Sequence, residues 1–300
     1  MTPVAAPALT PEAFRQPEST RASSRFALSV DVEDYFQVWA FSSVIDRADW
    51  EGFAPRVDSA TRRTLDLCDR RDAKATFFAL GWVAERYPAL IREIVARGHE
   101  IASHGCDHAK AFEQSRAEFR EDARRSKALI EDIAGVEVRG YRAPGFSIDW
   151  RTPWAYECLA EFGYRYSSSS HPIAHDHYGD PNGARDPYQP LDGCSLIEAP
   201  VATVEIFGRR ATCAGGGWFR AAPYALSDRL LRIAESTLSG PVIFYFHPWE
   251  IDPDQPRINK APLKSKLRHY LNLAGMEKKL DRLLASRRWD RIDRALGLGD

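Results

Sequence analysis

The residue pattern predicts a parallel α/β barrel followed by a mainly helical C-terminal extension. Apolar runs and amphipathic stretches alternate from Phe26 to His104 as strand, helix, strand, helix, strand, the order of a parallel α/β architecture. Polar residues able to do chemistry follow the ends of those apolar runs, where α/β barrels gather their active groups. The chain's 300 residues suit one such barrel with an extension.

Composition sets outer bounds. The apolar fraction of 44% and charged fraction of 28% are those of an ordinary globular chain. A formal net charge of -1 gives no support to nucleic-acid binding. No apolar run approaches the ~18 residues of a membrane span. Residues 1–24, rich in Pro, Ala, Ser and Thr without an apolar h-region, read as a disordered leader. Residues 25–250 read as the barrel and 251–300 as a helical extension packed on it. Five scattered cysteines without a C-x-x-C pair predict reduced thiols and a cytoplasmic setting.

Phe26–Val30 is the first strand and runs into Asp31, Glu33 and Asp34. Three carboxylates at the end of a buried strand are costly unless a cation or hydrogen bonds compensate them. Period-two alternation puts Asp31 and Glu33 on one face, while Asp34 reaches that face only if the chain bends after Val32. A helix over 58–71, a strand over 74–80 and a helix within 81–98 follow, then a short strand at Ile101–Ala102. That strand delivers His104 and His108, whose four-residue spacing lets both imidazoles meet one divalent cation from a helical or tightly turned segment. Cys106, two positions on, points away from that face.

A long amphipathic helix spans 113–134. The strand 138–141 ends in Arg142-Ala143-Pro144-Gly145-Phe146, a turn suited to carboxylate or anion handling. A helix at 152–162, a strand at 164–166 and the serines 167–170 come next. Residues 171–193 form a long irregular loop in which His171, His175, Asp176 and His177 are either a second metal cluster, substrate-binding groups or surface residues. Residues 196–204 read as strand, Gly215–Arg220 as a flexible turn and 224–238 as helix. The strand 241–246 then delivers His247, in position to meet His104 and His108. The basic, helical segment 264–296 leaves contact with a membrane surface or an assembly partner open.

The ordered set of strand-end acids, H-x3-H, R-x-P and a late strand-end histidine resembles the polysaccharide deacetylases of the NodB-homology type, carbohydrate esterase family 4, over about 26–250. The stretches SVDVEDYFQV, the histidine loop at 171–179, GGGWFR and FHPWEIDPDQPR resemble the subgroup found with exosortase-type exopolysaccharide loci, which carries a C-terminal extension. The resemblance implies a distorted (β/α)7-type barrel that removes N-acetyl groups from N-acetylhexosamine units of a bacterial polysaccharide. It implies a divalent metal, Zn²⁺ first and Co²⁺, Ni²⁺ or Mn²⁺ next, held by His104, His108 and one carboxylate. Because the acids here are spaced D-V-E-D, that carboxylate is either Glu33 or Asp34. Asp31 matches the general base, Arg142 the arginine orienting it and His247 the general acid. Gly145 stands where the family has an aromatic whose backbone N–H holds the oxyanion. The family's aspartate-tryptophan motif has no counterpart near Ser167–Ser170, so the partner of His247 stays unidentified. Expected partners are an N-acetylated polysaccharide or oligosaccharide and the exopolysaccharide assembly machinery. Rival readings are a metal-independent amidase on cyclic amides or ureides and a non-catalytic carbohydrate-binding protein.

Overall fold

A computed structural model describes residues 24–175 and 179–299. Most of the expected leader, together with Asp176 and His177, therefore lies outside the described residues. The first half of the chain runs through β1 (Phe26–Val32), α1 (Val57–Arg70), β2 (Ala75–Ala79), α2 (Gly81–Arg86), α3 (Pro88–Ala96), β3 (Glu100–Ser103), α4 (Arg116–Ala134) and β4 (Gly140–Tyr141). Then come α5 (Trp154–Glu161), β5 (Tyr166–Ser167), β6 (Ile197–Glu198), β7 (Thr203–Ile206), β8 (Arg209–Thr212), α6 (Gly216–Ala221), α7 (Tyr224–Thr237) and β9 (Val242–Phe246). The extension holds α8 (Leu263–Tyr270), α9 (Leu273–Ala285) and α10 (Ile292–Ala295).

Seven strands form one parallel sheet in the order β6-β5-β4-β3-β2-β1-β9, curled into a half-barrel with helices around it, a distorted (β/α)7 fold. Strands β1, β2 and β9 are buried along their whole length, which explains their continuous apolar runs. Helix α4 starts where Ser115 and Glu118 cap it reciprocally and stops at Gly135, whose φ of 69° is the left-handed C-terminal cap. Near the sheet's starting edge, the segment before α10 pairs with β1 through Leu28 N–H to Asp290 O at 3.0 Å. Ile292 and Leu296 then pack on Ala27, Phe78 and Ile243.

Several elements depart from the pattern reading. The helix expected across 81–98 is two helices, broken at Tyr87 because Pro88 disfavours helical backbone in the residue before it. The strand expected at 196–204 is divided into β6 and β7. β7 turns back at Phe207 and Gly208, both at positive φ, to pair antiparallel with β8. Gly215–Arg220 is no flexible turn: Gly216 opens α6.

Candidate active site

Glu33, His104 and His108 converge at the carboxyl ends of β1 and β3. Their ligand atoms lie within 4.8 Å of one another, and no other described group of three brings such atoms together. The histidines do not share a helix. They are brought together by a turn in which Gly105 (φ 73°) and His108 (φ 56°) take left-handed backbone. Cys106 is turned out of this group, with its Sγ 3.7 Å from Asp122 O.

His104 Nδ1–H donates to Arg142 O at 2.8 Å, which fixes the tautomer and leaves Nε2 free to ligate. Burial lowers His104 to a pKa of about 4, so the imidazole is neutral at pH 7, the state a metal needs. For Glu33 burial acts in the opposite direction but is outweighed by His108, His247 and His104, and its carboxyl falls to about 2. Glu33 Oε2 is buried 2.7 Å from His108 Nε2 without forming a hydrogen bond to it. An ionised, orphaned carboxylate oxygen beside two imidazoles is the donor set of a divalent cation site, so these residues fit the expected metal.

Asp34 has gone elsewhere. Its carboxylate accepts Tyr35 N–H at 2.9 Å and caps the start of α1 by accepting the N–H groups of Arg56 at 2.7 Å and Val57 at 2.9 Å. Asp31 and Glu33 face the cavity, as period-two alternation places them, while Asp34 faces the helix. Of the two candidate metal carboxylates, the geometry brings only Glu33 to the histidines.

Asp31 is held by Arg142, whose Nη1 donates to Asp31 Oδ1 at 2.7 Å and to Ser29 Oγ at 2.9 Å. Arg142 is fully buried, and its other donors meet Ser168 O and Ser168 Oγ. Ser169 Oγ accepts Ala143 N–H at 2.9 Å, and Glu198 accepts the N–H groups of Ser169 and Ser170. The serine run is thus the frame of the arginine. Gly145 and Phe146 follow at φ 62° and 49° and line the cavity. The left-handed backbone, rather than any side-chain chemistry, accounts for glycine at 145.

His247 closes the site, with Nε2 3.5 Å from Glu33 Oε1 and 3.9 Å from Asp31 Oδ2. Its missing partner is Glu250, which accepts Nδ1–H at 2.8 Å and the backbone N–H of His247 at 3.1 Å. Burial would lower His247, but Glu33, Glu250 and Asp31 raise it to about 9. Buried Arg220 donates to Glu250 Oε2 at 2.6 Å and to the carbonyls of Arg268, His269 and Leu271, which ties the extension to the site. His247 stacks on Trp249, which in turn stacks on His269 of α8 at 4.1 Å between rings. The H-x-x-E spacing over a proline turn was the available sign of Glu250; Arg220 had none.

Gly216 sits against Glu250, and a Cβ there would overlap the carboxylate. Gly216→Ala is therefore expected to displace Glu250 and lower kcat by about tenfold or more, the scale of losing an orienting partner. A pH profile of kcat would read this, since a purely structural fault would leave the profile's shape unchanged.

These groups line a cavity of about 600 Å³ walled by Trp39, Phe146, Trp218, Tyr245 and Trp249. Of the long histidine loop, His175 reaches the cavity, and His171 is buried 5.5 Å from the Phe146 ring; His177 is outside the described residues. No described group supports a second metal cluster there.

Comparisons with known proteins bear on the family and the fold. A family model described as polysaccharide deacetylase matches residues 51–167, and one described as a domain of unknown function matches 168–297. A peptidoglycan-N-acetylglucosamine deacetylase of Bacillus cereus is 30% identical over 98 residues, 32% of this chain and 36% of that protein. The chain thus spans about a third of that relative's length. Among solved structures, a Mycobacterium smegmatis protein assigned to the polysaccharide deacetylases aligns over 97% of this chain and 94% of its own at 22% identity and TM-score 0.62. PuuE allantoinase aligns over 94% and 92% at 17% identity and TM-score 0.56. Both likenesses are of fold. The second matched segment is no separate unit, because it supplies β6 and β9 of the same sheet together with Arg220, His247 and Glu250. By these matches residues 51–167 are similar to the polysaccharide deacetylases, and the segment matched to the domain of unknown function completes the same barrel.

Proposed function

We propose that the protein is a metal-dependent hydrolase that removes N-acetyl groups from N-acetylhexosamine units of a bacterial exopolysaccharide and releases acetate. The observation that carries this reading is the convergence of Glu33, His104 and His108 beside Asp31 and His247 in one aromatic-walled cavity. A cation held by Glu33, His104 and His108 supplies Lewis acidity, activating water near neutral pH and polarising the acyl oxygen. Zinc is the proposed ion, since two imidazoles, one carboxylate and open positions form a catalytic zinc set.

Asp31, fixed by Arg142, takes the proton of the attacking water. The Gly145 N–H, presented by the left-handed turn, donates to the oxyanion, a contribution of ~3–4 kcal/mol per donor in other hydrolases. His247, kept protonated by its carboxylates, gives its proton to the departing amine. Trp39 and Trp218 offer apolar surface for sugar rings. An exopolysaccharide substrate is supported by the likeness of the histidine loop, GGGWFR and FHPWEIDPDQPR to the exopolysaccharide-locus subgroup.

The test is acetate release from N-acetylglucosamine oligomers by metal-stripped protein, with and without Zn²⁺ or Co²⁺, beside His104→Ala. Metal-restored release that the variant lacks is expected. Release indifferent to both stripping and the substitution overturns the reading.

A further inference from the structure

Helix α8 presents an apolar stripe to solvent. Leu263, Leu267 and Leu271 recur at the four-residue spacing of one helix face and are 70%, 61% and 50% exposed. The opposite face is anchored, with His269 buried against Trp249 and Phe41. Three neighbouring exposed leucines on an ordered helix mark a contact surface.

The charge around the stripe identifies the occupant. From Arg257 to Leu271 the chain carries Arg257, Lys260, Lys264, Lys266 and Arg268 and not one Asp or Glu, although the whole protein has a net charge of only -1. Leucines flanked by cations on a helix lying along the surface are the pattern of an interfacial helix on anionic lipid. A symmetric contact with a second copy would set this cationic surface against itself, which like-charge repulsion opposes. The helix has eight residues, far too few to span a bilayer, so it can only lie in the interface.

We propose that α8 docks the protein onto an anionic lipid surface, with Leu263 and Leu267 in the headgroup layer and the basic residues on the phosphates. The placement has a consequence for the cavity. Pro262, Lys264, Ser265, Arg268 and Leu271 also line its wall, so the active site would open beside the membrane, where a glycan on a lipid carrier is presented. The docking stands on the helix alone and is independent of the deacetylase reading.

Flotation of the full chain with phosphatidylcholine vesicles, with and without about 30% phosphatidylglycerol, tests it. Binding is expected only with the anionic lipid, and a rise from about 0.05 to about 0.5 M salt should weaken it about tenfold or more. Leu263→Ser/Leu267→Ser should also lower binding about tenfold, the stripe being its apolar half. Neither leucine touches the cavity, so the double variant should keep the wild-type circular-dichroism spectrum and thermal unfolding midpoint, which certify that it is folded whatever the reaction, and acetate release from a soluble oligomer should be unchanged. Absence of binding to anionic vesicles, or equal binding by wild type and the double variant, overturns the proposal. A wild-type dimer that the double variant dissolves would assign the stripe to self-association and overturn it equally.

Discussion

Glu33→Gln is expected to bind no stoichiometric metal and to lose activity by at least about 10²-fold, the upper range seen when even an outer-shell partner of a metal site is removed. The substitution keeps the side chain's size, so the fold survives, but the ionised oxygen facing His108 is lost. Asp34→Asn is expected to do the reverse. It should bind one equivalent of metal and retain turnover per folded molecule, while chemical denaturation shows a loss of about 1–2 kcal/mol. That loss reflects the three backbone N–H groups its carboxylate now accepts, that of Tyr35 and the two at the start of α1. Metal content by elemental analysis, read beside a urea titration, separates the two. If Asp34→Asn emptied the site and Glu33→Gln left it filled, the assignment of the third ligand to Glu33 would fall.

The second large effect is expected at Glu250. Glu250→Gln should lower kcat by about 10²-fold or more, in the range of general-acid catalysis, and move the basic limb of the pH profile to lower pH. The sign follows from His247, raised from 6.5 to about 9 by Glu33, Glu250 and Asp31 against the effect of burial. With the Glu250 charge removed, the imidazolium is lost at lower pH, and the proton donor with it. Stability should follow the same linkage. A histidine raised in the folded state contributes fully below its unfolded pKa and loses that contribution as pH rises through the folded value. The variant's deficit should therefore be larger at about pH 6 than above about pH 9. Part of the deficit is independent of pH, because Arg220 loses its buried counter-charge and keeps only its carbonyl partners. An unchanged basic limb would show that Glu250 serves Arg220 alone.

Much of this molecule was legible in its residues. Strands β1, β2 and β9 are long and buried along their whole length, so their apolar runs stand out. Strands β4, β5 and β6 are two residues each and leave almost no periodic trace. The hairpin β7–β8 escaped because half of it is exposed and its turn, Phe207-Gly208, lacks the usual Asn-Gly or Asp-Gly pair. The triple glycine read as a flexible turn because glycine weakens a helix. Tertiary contact overrides that preference, since Gly216 must lie against Glu250.

At the site, residue type and order along the chain brought forward Asp31, His104, His108, Arg142 and His247, while Gly145 came from the family resemblance. Each sits at a strand end, and a parallel sheet carries all its strand ends to one edge. What local order could not determine was the direction of each side chain. Alternation already put Glu33 on the face of Asp31, but that Asp34 stays off it depends on an α1 start that needs a cap 23 residues away. The partnership of Arg220 with Glu250 joins positions 30 residues apart, and the serines that cradle Arg142 lie 26 residues beyond it. The sequence by itself determined which chemical groups line the sheet's edge. Only the tertiary structure decided which of them point at one another, because those choices are settled by packing and hydrogen bonds between residues distant in the chain.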